Sequence, residues 1–253
     1  MTDPRVLSFI NLHAILGSIP LLCALDPVSA ALVGKHTIDL GIAVKGGPSG
    51  CLSFSEGRCS FREDCDDDCD IRLSFSRPER FNGMIDGTVT PIPTKGLHRV
   101  LFLTKVFIPL TDRLTAFLRP TKEALADPDF FRISTTLMFH LIVRAVCCIG
   151  NEDAIGCASA SYITDGAVCL SAGEELAFVI CAKDHRLSVS ADPQKETITA
   201  QMRFADMKTA RALFDGEINA VASVGTGDVR IRGMISQVDN INRILDRVAL
   251  YLA

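Results

Sequence analysis

"DIRLSFSRPERFNGMIDG" (residues 70–87) and "TAQMRFADMKTARALFDG" (residues 199–216) read alike: an alternating apolar run, a short amphipathic stretch, then Asp-Gly. Phe75 falls with Phe204, Met84 with Leu213, Ile85 with Phe214, Asp86 with Asp215 and Gly87 with Gly216, at a constant offset of 129 residues (199 minus 70). Alternation over five or six residues is the signature of a half-buried strand, and apolar residues three and four apart are that of a helix. A glycine after the last helical turn is a stop signal, and Pro78 suits a first turn. The spacing therefore predicts a strand, a short helix and an Asp-Gly stop, twice.

Working outward, "HTIDLGIAVKGG", "SGCLSFSEG" and "RCSFRED" precede the first copy, and "SASYITDG", "AVCLSAGEE", "LAFVICAKD" and "HRLSVSAD" precede the second. Short β-rich runs divided by Gly-, Asp- and Lys-Asp-His turns imply antiparallel meanders. After each helix comes a linking segment, then a strand ("HRVLFLTK" or "DVRIRG") and a closing helix. In residues 234–252, Ile235, Val238, Ile241 or Asn242, Leu245, Val248 and Leu252 form one stripe. The expected class is α+β, an antiparallel sheet covered by helices on one face and repeated twice. The expected division is 1–121, carrying extra N-terminal helices, and 122–253. "TTLMFHLIVRAVCCIG" (135–150) is apolar nearly all round, so it is expected to be buried and shared by both halves.

"GTGDVRIRG" (225–233) invites a phosphate-loop reading. Dinucleotide loops place glycines between a strand and a helix N-terminus. Here Asp228, Val229, Arg230, Ile231 and Arg232 alternate after the glycines, so Gly225 and Gly227 punctuate the approach to a strand.

Composition excludes several classes. With 253 residues and 48% apolar content the chain can bury a real core, and 26 Lys plus Arg against 30 Asp plus Glu leave no excess positive charge for a nucleic-acid backbone. The apolar N-terminus, "VLSFINLHAILGSIPLLCAL", is interrupted by Asn11, His13 and Pro20 and lacks a net positive flank, so packing helices are expected in place of a signal or a membrane span. Many of the ten cysteines, among them Cys147, Cys148, Cys169 and Cys181, lie in apolar runs and read as small buried side chains of a reducing, cytoplasmic compartment. "CDDDC" (65–69) reads as a solvated acidic loop whose Cys65 and Cys69 are expected to be accessible and metal-free. His140 and Arg144, four apart, read as a polar edge of a core helix, and His185 in "AKDHRL" reads as a turn residue. No serine-elbow, zinc-helix or Walker pattern occurs, so neither a catalytic residue nor a cofactor or metal is expected.

The second half resembles the sterol carrier protein 2 family over roughly residues 170–250. The matching pieces are Lys183-Asp184, "ETITAQM", Leu213 to Gly216, "INAVASVGTG" as an Ala-rich turn, Val229 to Gly233 and the closing helix. His185 stands where the family has glycine. Residues 35–118 are similar to a second, divergent copy, in which "TVTPIPTKG" replaces the Ala-rich turn. The resemblance implies an apolar cavity between helices and sheet that takes a sterol, fatty acid or fatty acyl-CoA without catalysis, with transient membrane contact as a possible step in transport. On the helices and sheet of the second half, the candidate lipid-binding residues are Phe204, Met207, Ala210, Leu213, Phe214, Met234, Ile235, Val238 and Leu245. The same pattern with filled cores would instead describe a structural or regulatory pair of domains, and an enzyme or thiol protein is the remaining class.

Overall fold

In the computed structural model, which describes residues 2–65 and 68–252, both Asp-Gly sequences end helices. Pro78–Ile85 stops at Asp86 and Met207–Phe214 at Asp215; Gly87 and Gly216 follow, each at φ +73°. That backbone region is open to glycine and strained for β-carbon residues. Contacts divide the chain into two units, Met1–Leu137 and Met138–Ala253.

The first unit begins with α1 (Pro4–Leu25) and α2 (Pro27–Val33). Helix α1 loosens through a π-type turn at Ile10–Ile15 and tightens at Leu16–Ser18, just before Pro20, whose ring nitrogen has no N–H to donate. Buried Asn11 donates through Nδ2 to Asn82 Oδ1 at 3.0 Å, and His13 Nε2 lies 2.9 Å from the Ser49 carbonyl. The strands are β1 (Ile38–Val44), β2 (Ser49–Ser55), β3 (Arg58–Arg62), β4 (Ile71–Phe75) and β5 (Pro93–Lys95), in the order β3-β2-β1-β4-β5. Helix α3 (Pro78–Ile85) follows β4, and α4 (Ile108–Leu118) follows β5 after helical turns over 97–107. Leu40, Ile42 and Leu73 of the sheet share one core with Leu12, Leu16 and Ile19 of α1 and Leu110 and Leu114 of α4.

The second unit contains most of α5 (Pro128–Glu152) and then α6 (Ala154–Ala160). Its strands are β6 (Gly166–Ala172), β7 (Leu176–Lys183), β8 (Arg186–Val189), β9 (Ile198–Phe204) and β10 (Val229–Gly233), in the order β10-β9-β6-β7-β8. Its remaining helices are α7 (Met207–Phe214), α8 (Ala220–Thr226) and α9 (Ile235–Leu252). Asp184 and His185, at φ +49° and +62°, form the two-residue turn between β7 and β8, as Glu56 and Gly57 do between β2 and β3. Positive φ at both central positions matches the right-handed twist of a hairpin.

Several expectations are corrected. The sheets are mixed: β1 pairs parallel with β4, and β6 with β9. In each unit the third strand lies at one edge and the fourth starts on the far side of the first. "HRVLFLTK" is helical, and the strand beside β4 is Pro93–Lys95. "SASYITDG" is the end of α6 and a loop, and the Ala-rich stretch is helix α8, with Gly225 inside it and Gly227 (φ +85°) just before β10. The first unit also changes the reading of "CDDDC", of which Asp66 and Asp67 lie outside the described residues. Cys69 is buried and Cys65 half-buried, because both sulfurs rest on the face of β1 at Gly41, where an added methyl group would overlap them. Burial pushes the Cys65 thiol up to about 11, and the neighbouring Cys69 adds to this.

Helices α1 and α5 are long and apolar enough to cross a bilayer, so 25-residue α5 exceeds the short segment read from the sequence. Of their most apolar stretches, 67% and 78% are buried inside the protein, which is the environment of core helices.

A candidate apolar cleft in the second unit

The cleft is assembled from the inward side of β6, β7 and β9 and from three helices. Leu170, Ile180, Met202 and Phe204 point to this side because strand side chains alternate, and register sets Leu170 beside Ile180's neighbour Phe178 and Met202. Helix α5 contributes Phe139, Ile142, Val143 and Val146, a stripe at three- and four-residue spacing. Helix α7 closes it with Leu213 and Phe214, and α9 with Asn242 and Leu245. Leu213, Phe214 and Leu245 are half-buried and Asn242 is exposed, so the cleft reaches the surface between α7 and α9.

Aromatic rings occupy much of this interior. Phe139 stacks on Phe178 with centroids 5.7 Å apart and meets Phe204 and Phe214 edge-on at 5.8 and 5.3 Å. Offset and edge-on pairs match the ring quadrupoles and hold the cluster in place. The remaining cavity is about 30 Å³, far below the size of an ordinary ligand pocket.

The walls are held by polar contacts away from the cleft. Asp206 accepts from the Thr209 amide at 2.7 Å and starts α7. Buried Gln237 fastens the first turns of α9 by donating to the Thr164 carbonyl at 2.9 Å and accepting from Thr199 Oγ1 at 2.7 Å. Further along α9, Arg247 and Tyr251 donate to Asp153 Oδ2, each at 2.8 Å, while Asp153 Oδ1 accepts the Ile155 and Gly156 amides at the start of α6. Burial raises the Asp153 pKa, but Arg247, the Gly156 amide and Tyr251 outweigh it and leave the carboxyl below its ordinary value. Beside Phe139, His140 is driven down to about 4, first by burial and then by Arg144.

Of the candidate residues, Phe204, Leu213, Phe214 and Leu245 come together at the cleft. Ala210 and Val238 are buried in the same unit outside its lining, and Met207 is half-buried. Met234 and Ile235 are exposed, Ile235 by 72%, because α9 begins there, directly after Gly233, and its buried stripe starts at Gln237 and Val238. Sequence reasoning did not select Phe139, Ile142, Val143 and Val146. The all-round apolarity of 135–150 was their signal, but it assigned no face.

No family model matches the chain, and no curated protein matches it either. Among solved structures, the chain is similar to sterol carrier protein domain 2 of Helicoverpa armigera, with a TM-score of 0.36, 12% identity, and coverage of 46% of this chain and 88% of that one. It is also similar to the apo form of sterol carrier protein 2 from Yarrowia lipolytica, with a TM-score of 0.34, 13% identity, and coverage of 45% and 91%.

Proposed function

We propose that the chain is a tandem pair of sterol carrier protein 2-like halves, and that its second half binds one slender apolar chain, such as a fatty acyl group, without catalysis. The observation that carries this reading is the composition of the cleft: its wall is apolar apart from Asn242, which stands at the mouth where a polar headgroup would lie. Burying an alkyl chain there is favourable by roughly 25 cal/mol per Å² of apolar surface removed from water. The tandem arrangement is supported by the equivalent strand orders, with a parallel pair at the same place in each sheet. It is supported again by a shared carboxylate device. Asp26 caps α2 and takes Arg113 of α4, while Asp153 caps α6 and takes Arg247 of α9.

A cavity of about 30 Å³ is far below the roughly 300 Å³ of an ordinary ligand pocket, so entry requires the half-buried Leu213 and Phe214 to move aside. The same volume favours a second reading, in which both cores are closed and the chain is structural or regulatory. Titrating delipidated protein with a fluorescent fatty acid separates the two. Saturable binding is expected, with faster exchange in Phe214→Ala and lost occupancy in Val143→Phe, which fills the cleft at a cost of about 1–3 kcal/mol. If neither the parent nor Phe214→Ala binds, the closed-core reading stands. Extraction and mass spectrometry of the purified chain would identify the lipid. A cytoplasmic carrier meeting membranes transiently is the setting this reading implies.

A further inference from the structure

The other face of the same sheet carries a concentration of positive charge that the apolar cleft does not use. Arg230 on edge strand β10 stands directly opposite Arg203 on β9, and Arg232 stands opposite Gln201. All four alternate with the buried Val229, Met202 and Phe204, so they project away from the cleft. Together they line a separate hollow of about 50 Å³. Like charges directly opposite on neighbouring strands repel, and nothing in the fold of a strand pair requires them. Among the described residues the compensation is slight. Glu174, itself 92% exposed, approaches Arg203 at 3.7 Å, and Asp228 accepts a hydrogen bond from Thr226.

A second observation lies beside the arginines. Ser171 on β6 is the register partner of Arg203 and shares its side of the sheet. It is 6% exposed, yet its Oγ has no hydrogen-bond partner among the described residues. Leaving a buried hydroxyl unsatisfied is costly, and Ser171 sits one strand in from the hollow, whose lining is the three arginines and Gln201. Guanidinium forks match phosphate oxygens two at a time, and Gln201 offers a neutral donor in the same hollow.

We propose that Arg203, Arg230, Arg232 and Gln201 form a phosphate-binding site on the outer face of the second sheet. The site is independent of the apolar cleft and of what that cleft binds. Its ligand is a phosphate monoester or diester, either free in solution or displayed as a lipid headgroup.

Calorimetric titration with inorganic phosphate and glycerol 3-phosphate, and co-sedimentation with phosphatidylcholine vesicles with and without phosphatidic acid, test both sources on the full chain. Binding to at least one probe is expected at low salt, falling as ionic strength rises. Arg230→Gln combined with Arg232→Gln should weaken it by at least about tenfold, since hydrogen bonds to charged groups are the stronger kind. Both arginines are exposed and Arg230 faces Arg203, so the variant should melt no lower than the parent, and phosphate should raise the melting temperature of the parent alone. Response to soluble phosphates assigns a free ligand, and response only to phosphatidic acid vesicles assigns a headgroup. No binding to any probe, or binding undiminished in the variant, overturns the proposal.

Discussion

His140 shows how one side chain can set the pH response of the second unit. It sits beside the ring cluster, 5.4 Å from the centroid of Phe178, and its pKa falls to about 4 through burial and the charge of Arg144. In the unfolded chain a histidine titrates near 6.5, so between about pH 6.5 and 4 the unfolded state binds the extra proton. Its contribution is therefore complete above pH 6.5 and is lost as pH falls toward 4, by at most about 3 kcal/mol. Asp26 and Asp153, both held below the carboxylate range, act in the same direction but only under their ordinary value of 3.8. Urea unfolding at pH 7, 5.5 and 4.5 should show declining stability in the parent and a flatter profile in His140→Gln. Equal slopes in the two proteins would rule out His140 as the source. The sequence placed His140 on a core helix edge, but the burial that shifts its pKa depends on Phe178, far away in the chain.

Among the elements, Asp153 ties three helices together: it follows the end of α5, caps α6 and receives Arg247 and Tyr251 from α9. Arg247 and Tyr251 are one turn apart, with the guanidinium 5.9 Å from the ring centroid; Arg113 and Phe117 repeat this at 5.5 Å in the first unit. Removing one member of a buried ion pair strands the other, so Asp153→Ala is expected to cost about 3–5 kcal/mol. Tyr251→Phe, which deletes one hydrogen bond, should cost about 1.5–3 kcal/mol. Urea denaturation of the full chain, followed by circular dichroism, measures both; a loss below about 1 kcal/mol in Asp153→Ala would remove this role. The latch was not legible because its partners are separated by 94 and 98 residues and no local period links them. The helices and turns signalled by Pro78, Asp86-Gly87, Asp215-Gly216 and Asp184-His185 were legible, since each depends on backbone conformation within a few residues. The parallel strands were not, because alternation reads the same in either direction. Over 98–105 an apolar run passed for a strand. Only the longer window through Phe102, Val106, Leu110, Leu114 and Phe117, all buried, reveals the helical period.

At the scale of the whole molecule, the boundary between the two contact units falls inside helix α5, after Leu137. The early part of α5 belongs to the first core. Ile133 and fully buried Leu137 join that cluster, Phe130 stacks on Phe117 at 4.6 Å, and Ser134 Oγ donates to the Phe117 carbonyl at 2.6 Å. What each turn of a helix buries decides which core it belongs to, and Phe130, Ile133 and Leu137 pack into the first. Cutting the chain at residue 121 therefore removes Phe130, Ile133 and Leu137 from the first unit. At roughly 1.5–3 kcal/mol for each large apolar side chain buried, the loss is on the order of 5 kcal/mol or more. Small domains hold only about 5–15 kcal/mol in reserve. Fragment 1–137 is thus expected to fold with a cooperative urea transition, while fragment 1–121 should show no transition or one displaced strongly to lower urea. Matching midpoints and slopes for the two fragments would mean that the first turns of α5 add nothing to that core.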